Sequence, residues 1–286
     1  MQALIRHNRE WPTFGVMESA DLKTVVVEKK QLQSRFLARA VTVDFYLPTA
    51  IAEPASLSLL LINDGQDLPK MPFAPMLDNL IADAAIQPVL CVGIHAGAER
   101  RMEYGTADYV DYEGRGAKAK NYQQFILQEL LPYIHTTYNV PRFQQQVFAG
   151  FSLGGLMALD MAWHFPDLFS IAAVFSGSLW WRSKALHNGY NEETDRIMHK
   201  QIREGNRHPN QKFYFTTGSL DETSDRNHNG IIDSIDDTLA LIAELKTLGY
   251  PDEAICYINF EDGKHDVPTW GRAMPQFLTW AFQSKL

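Results

Sequence analysis

Residues 150–155 read Gly150-Phe151-Ser152-Leu153-Gly154-Gly155. A glycine-flanked serine is either a nucleophile on a tight turn or only a small residue in a glycine-rich bend. Here the apolar run "QVFAGF" ends at Phe151, and a helical pattern begins at Leu153. A strand that turns sharply into a helix needs small residues on either side of the turn. It exposes the intervening side chain at the C-terminal edge of a parallel sheet, where ligands bind. A serine hydroxyl is a poor nucleophile until a neighbouring base takes its proton. The chemistry open to Ser152 is therefore acyl transfer, provided that the chain supplies a base and an acid.

Both are present in the chain order this geometry needs, serine then acid then histidine. The run "KFYFTT" leads into "GSLDETSD" and Asp221; the run "AICYINF" leads into "EDGKHDVPTW" and His265. Each follows a strand, at the edge that Ser152 occupies. His265 is expected to accept the serine proton, and Asp221 to orient the imidazole and stabilise its charged form. Glu222 and Asp225 lie close enough to compete with Asp221 for that role. An oxyanion needs two preorganised N–H donors. Leu153, the first helical residue after the serine, offers one. The turn Asp64-Gly65-Gln66-Asp67 after "LSLLLIN" offers the other through Gln66, unless it is a plain Asp-Gly turn.

The elements that position these residues follow from the hydrophobic pattern. Residues 23–29 and 41–47 read as two antiparallel strands flanking a connector, "KQLQSRFLARA". From residue 57 the pattern changes to short runs apolar on both faces, at 57–62, 88–94, 146–151, 171–176, 212–217 and 254–260. Such runs, alternating with helices, predict a mostly parallel sheet covered on both sides. Helices are expected at 75–86, 118–138, 153–165, 191–204, 235–248 and 271–284. In the second, Tyr122, Ile126, Leu130 and Ile134 share a face, and Pro132 predicts a kink. No linker or repeat divides the chain, so one α/β domain over residues 1–286 is expected.

"LLLINDGQD", "GFSLGGLMAL", "SGSLWW" and "GKHDVPTW", in this order, resemble the putative-esterase family, which includes esterase D, the enterochelin-type siderophore esterases and the mycolyltransferases. The resemblance runs from about residue 23 to the C-terminus. It implies an α/β-hydrolase fold and a triad of Ser152, His265 and an acid after the preceding strand, with an oxyanion N–H from the Asp-Gly-Gln turn. It implies a serine carboxylesterase needing no cofactor for catalysis and acting on a small-molecule ester. An acyltransferase on the same scaffold and a catalytically silent binding module are the alternatives. The stretch "ERRMEYG…YQQFILQELLPYIHTTY" resembles the siderophore-esterase branch, where Arg101 and Glu103 are expected to form a buried pair, with a substrate contact by Arg101 as the other reading. The extra N-terminal domain of the enterochelin esterases is not expected from the residues of this sequence, which weakens any transfer of siderophore specificity.

Three further residues reach the same edge. His95 is expected to line the pocket or anchor a loop, and Trp180 and Trp181 to pack or to wall the pocket. The longest irregular stretch, 95–117, is of a length more often functional than incidental. A net charge of −8 with no basic run argues against nucleic acid and anionic membrane as partners. No apolar stretch approaches the roughly 20 residues of a membrane span. The opening "MQALIRHNREWPTFG" has no secretory apolar region, and Cys91 and Cys256 sit inside apolar runs as expected of buried thiols; a cytoplasmic protein is the resulting expectation.

One motif lies outside this chemistry. "DRNHNGIIDSID", 225–236, matches a calcium-binding loop at every fixed position except the last, where Asp236 replaces Glu. Asp225, Asn227, Asn229, the Ile231 carbonyl, Asp233 through water and Asp236 would be the donors of a structural Ca2+. The competing reading is a solvated loop that caps the next helix through Asp236 or Asp237.

Overall fold

The computed structural model describes residues 22–50 and 57–284; the opening stretch read for a secretory signal lies outside the described residues. β1 (Val25–Ser34) and β2 (Arg39–Pro48) pair antiparallel in unbroken register from Val25–Pro48 to Ser34–Arg39. The expected 11-residue connector is therefore mostly strand. The turn itself is only Arg35–Ala38, with Ala38 at φ 52° and the Ser34 hydroxyl accepting the Leu37 N–H at 3.0 Å.

The six apolar runs form β3 (Ser58–Asn63), β4 (Val89–Ile94), β5 (Gln146–Phe151), β6 (Ile171–Phe175), β7 (Lys212–Leu220) and β8 (Ile255–Lys264). They lie in one eight-stranded sheet in the order β1-β2-β4-β3-β5-β6-β7-β8. β2 meets β4 antiparallel, and every pairing from β4 to β8 is parallel. All residues of β3, β4 and β6 are buried, as strands covered on both faces must be.

One face of the sheet packs on α3 (Ala119–Phe125), α4 (Leu131–Thr137), α5 (Leu153–His164), α7 (Ile197–Glu204) and α8 (Asp233–Thr247). The other packs on α1 (Phe73–Ala82) and α9 (Val267–Phe282). Two short helices complete the set, α2 (Arg100–Glu103) and α6 (Glu192–Asp195). Tyr122, Ile126, Leu130 and Ile134 are all fully buried, as their spacing requires. A π-helical turn, Ile126–Leu130, joins α3 to α4 just before Pro132. The wider turn stands where the proline has no N–H to donate. The helix expected at 191–204 is two, because Arg196 leaves helical geometry at φ −75°, ψ 105° and its Nη1 donates to the buried Asp237 at 3.1 Å.

Candidate active site

Ser152 stands between β5 and α5 at φ 53°, ψ −121°, a conformation that costs a non-glycine residue about 1–3 kcal/mol and persists only where the surroundings enforce it. They do so on three sides. The Ser152 N–H donates to the Phe175 carbonyl at 2.9 Å. A Cβ on Gly150 would lie 2.2 Å from the Gly154 carbonyl oxygen, and one on Gly154 would lie 2.5 Å from an Asp64 carboxylate oxygen. Both flanking positions therefore admit only glycine. The Ser152 Oγ is half-buried, 3.4 Å from the Oγ of Ser178. Leu153, at the first position of α5, has an N–H that no helical carbonyl can take.

The turn after β3 is wedged against this elbow. Asn63 Nδ2 donates to the Gly154 carbonyl at 2.8 Å, and Tyr122 donates its hydroxyl to Asn63 Oδ1 at 2.6 Å. Asp64 adopts φ 61°, and Gly65 passes so close to β4 that a Cβ would sit 2.3 Å from the Gly93 carbonyl carbon. Gln66 follows at the start of a 3-10 turn, Gly65–Lys70. Its Oε1 accepts the Ala96 N–H at 3.0 Å, which ties this turn to the loop after β4. The Asp64 carboxylate receives a two-pronged contact from Arg100, Nε to Oδ1 at 2.6 Å and Nη2 to Oδ2 at 2.7 Å.

Arg100 was not anticipated, and the expected Arg101–Glu103 pair does not form. Glu103 is fully buried but bound by Arg39, Nε to Oε1 at 2.8 Å and Nη2 to Oε2 at 2.6 Å. Arg101 is exposed. Neighbouring residues on a helix point about 100° apart, so only one of the adjacent arginines can face the sheet edge. Their shared residue type gives no sign of which.

Asp221 and His265 follow β7 and β8 at the same edge. Asp221 Oδ2 accepts the Gly218 N–H at 3.0 Å; its Oδ1 is buried and makes no hydrogen bond among the described residues. Burial pushes the Asp221 carboxyl above its ordinary value, against the Gly218 N–H and nearby Ser176 and His265, which favour the anion. His265 is shifted down by desolvation; the Asp221 charge opposes that shift and the Arg100 charge adds to it. The two groups thus sense each other, although no hydrogen bond joins any two of Ser152, His265 and Asp221 among the described residues. Catalytic contacts are often long before substrate closes them. The competing acids are committed elsewhere: Glu222 to the Ser234 N–H, and Asp225 to the Asn229 and Gly230 N–H groups at 3.1 and 2.9 Å. Ser176, Ser178 and Trp270, also unanticipated, border the site.

His95 anchors a loop: its Nε2 lies 2.7 Å from Asp44 Oδ2, across β4 and β2. Trp181 is fully buried and is not a pocket wall. Its Nε1 donates to Thr106 Oγ1 at 3.1 Å, and added Cβ atoms on Gly105 and Gly116 would lie 2.7 and 2.9 Å from its ring. The indole is the post around which the 104–116 loop is wrapped. Trp180 remains partly exposed.

In the 225–236 loop, the side-chain amides of Asn227 and Asn229 each lie 3.1 Å from an oxygen of Asp236, and Gly230 has the positive φ (83°) that the turn requires. Asp225, Asn227, Asn229 and Asp236 converge. Asp233 does not join them, because its Oδ1 takes the Arg226 N–H at 2.9 Å and the Arg226 guanidinium at 3.2 Å. Asp236 and Asp237 are not caps, since α8 begins at Asp233. Among the described residues no group of three or more His, Cys, Asp or Glu is placed to hold a metal ion. The amide nitrogens of Asn227 and Asn229 face Asp236, while their oxygens accept the Asn229 and Ile231 N–H groups at 3.2 and 2.8 Å.

No described helix is long and apolar enough to cross a membrane. No curated protein matches the chain. Among solved structures, it is similar to the enterobactin esterase of Shigella flexneri, solved in the presence of enterobactin, with 23% identity and a TM-score of 0.68 over 89% of this chain and 58% of that one. It is similar to an IroE-like serine hydrolase of Shewanella oneidensis, with 21% identity and a TM-score of 0.67 over 90% of this chain and 80% of that one. It is also similar to the siderophore hydrolase EstB of Aspergillus nidulans, with 17% identity and a TM-score of 0.65 over 96% of this chain and all of that one. At these identities the likeness establishes the fold, and the chain spans less than two thirds of the enterobactin esterase. The family model described as putative esterase matches residues 34–281, nearly all of the described fold. The chain belongs to the putative-esterase family.

Proposed function

We propose that the protein hydrolyses small-molecule carboxylic esters through an acyl-enzyme on Ser152. The observation that carries this is the backbone of Ser152, held at φ 53° between β5 and α5 by two glycines that admit no side chain. In this reading Ser152 Oγ attacks the ester carbonyl carbon while His265 takes its proton. The oxygen that becomes negative is held by the Leu153 and Gln66 N–H groups. Collapse of the intermediate breaks the bond to the alcohol oxygen, which leaves with the proton from His265. Water then attacks the acyl-enzyme with His265 again as base, and the acid is released from Ser152. Asp221 orients His265 and offsets its positive charge; the unpaired, buried Oδ1 is the oxygen suited to that contact. Because Ser152 and His265 act as a unit, alanine at either should lower kcat about as much as alanine at both. Near wild-type hydrolysis of 4-nitrophenyl acetate by Ser152→Ala would refute the assignment.

We further propose a structural Ca2+ in the 225–236 loop, held by Asp225, Asn227, Asn229, the Ile231 carbonyl and Asp236 but not by Asp233. It has no part in the reaction. The loop starts four residues after Asp221, and its ordering would steady that acid.

A further inference from the structure

Two arginines beside the site share a set of aromatic rings. The Arg115 guanidinium lies 4.9 Å from the Trp180 ring centre and 5.6 Å from that of Tyr112. Arg182 lies 4.9 Å from Tyr112, 5.9 Å from Trp180 and 5.9 Å from Tyr190. Their charge balance differs. Arg115 is paired with Asp111, its Nε 2.6 Å from Oδ2, and with Glu113 at 3.2 Å. Arg182 has no carboxylate partner among the described residues. Its Nη1 reaches only the Trp180 carbonyl at 3.4 Å, and its Nε is buried without a hydrogen bond. A guanidinium stacked on aromatic faces keeps its N–H donors in the plane, aimed outward between the rings. That arrangement matches a carboxylate, whose two oxygens fit the guanidinium fork.

The position of the cluster ties it to catalysis. Trp180 is two residues from Ser178, whose Oγ is 3.4 Å from that of Ser152. The Trp181 N–H donates to the Ser178 carbonyl at 3.3 Å, and the Tyr112 N–H to the Arg182 carbonyl at 3.0 Å, so both loops are fixed to the nucleophile's neighbour. Resting on the ester-hydrolase reading, we infer that Arg182, with Tyr112, Trp180 and Tyr190, forms a specificity subsite for a planar anionic group, an aryl carboxylate, on the ester substrate.

Two acetyl esters test this, because both form the same acetyl-enzyme and differ only in the group the subsite would hold: 4-acetoxybenzoate, anionic, and 4-acetoxybenzamide, its neutral counterpart. Charged hydrogen bonds contribute about 1.5–3 kcal/mol, so Arg182→Gln should lower kcat/KM on the benzoate by roughly tenfold to a hundredfold. On the benzamide it should change by less than about twofold, the split carried mainly by KM. Arg115→Gln, which removes an arginine already paired, should affect the two esters alike. Titration calorimetry of benzoate should show binding to the wild type and at least about tenfold weaker binding to Arg182→Gln, a readout independent of turnover. An equal loss on both esters, or unchanged benzoate binding in Arg182→Gln, would overturn the subsite. If that variant does not fold, wild-type protein that binds benzoate no better than benzamide overturns it as well. Failure of the wild type to cleave either ester while still binding benzoate would instead count against the hydrolase reading.

Discussion

The Trp270 indole N–H donates to Ser176 Oγ at 3.1 Å, and the same indole stacks on Phe151 at 5.0 Å and meets His265 edge-on at 5.3 Å. One side chain therefore links the residue before the nucleophile, the histidine and a serine that stabilises the Asp221 anion. Trp270→Phe keeps the ring contacts and removes the donor. A buried acceptor left unpaired costs about 1–3 kcal/mol. If that cost falls on the geometry of Asp221 and His265, kcat should drop by roughly tenfold with KM little changed. An unaltered kcat would show that the bond serves packing alone.

The acid can be tested by charge as well as by geometry. Asp221→Asn should fold and lose about 10⁴ in kcat, as expected when the residue that orients the base is neutralised. Because desolvation depresses the His265 pKa, the acid limb of kcat/KM should fall below 6.5, the ordinary value for histidine. The Asp221 charge opposes that depression, so in Asp221→Asn the limb should move lower still. A limb that moves up, or a large loss in Glu222→Gln in its place, would reassign the role.

Asp160, fully buried in the helix that begins at the elbow, is a separate pH-dependent element. Burial pushes its carboxyl up to about 7, against the Ala107 N–H and Gln123 amide that each donate at 3.1 Å. Between the unfolded value near 3.8 and about 7 the native state holds a proton that the unfolded chain releases, so this group's contribution to stability falls as pH rises. Asp160→Asn stays neutral and keeps an acceptor for both donors. Its Tm relative to wild type should be higher at pH 8 than at pH 5; a difference independent of pH would contradict this.

Calcium should raise the Tm of chelator-treated protein, by mass action on the folded state. Chelation should lower activity only in part, through a looser Asp221. No heat of binding at millimolar calcium would remove the ion from the account and leave the proposed triad untouched.

Period and apolar content identified the six parallel strands, because a strand buried on both faces has no alternative environment. Ser152, Asp221 and His265 were legible because each ends a strand. Arg100, Trp270 and Ser176 were not, since their partners Asp64, Ser176 and Asp221 lie 36, 94 and 45 positions away in the chain. Trp181 shows the same limit in reverse. Its place beside the site gave no sign that Gly105 and Gly116 would close over its ring.

The proposed chemistry rests on Ser152 as an activated nucleophile. A fluorophosphonate forms a covalent bond readily only with such a serine, so peptide mapping after labelling reads it directly. Stoichiometric modification is expected at Ser152, abolished in His265→Ala. Modification at another residue, or an unlabelled Ser152 in folded protein, would contradict it.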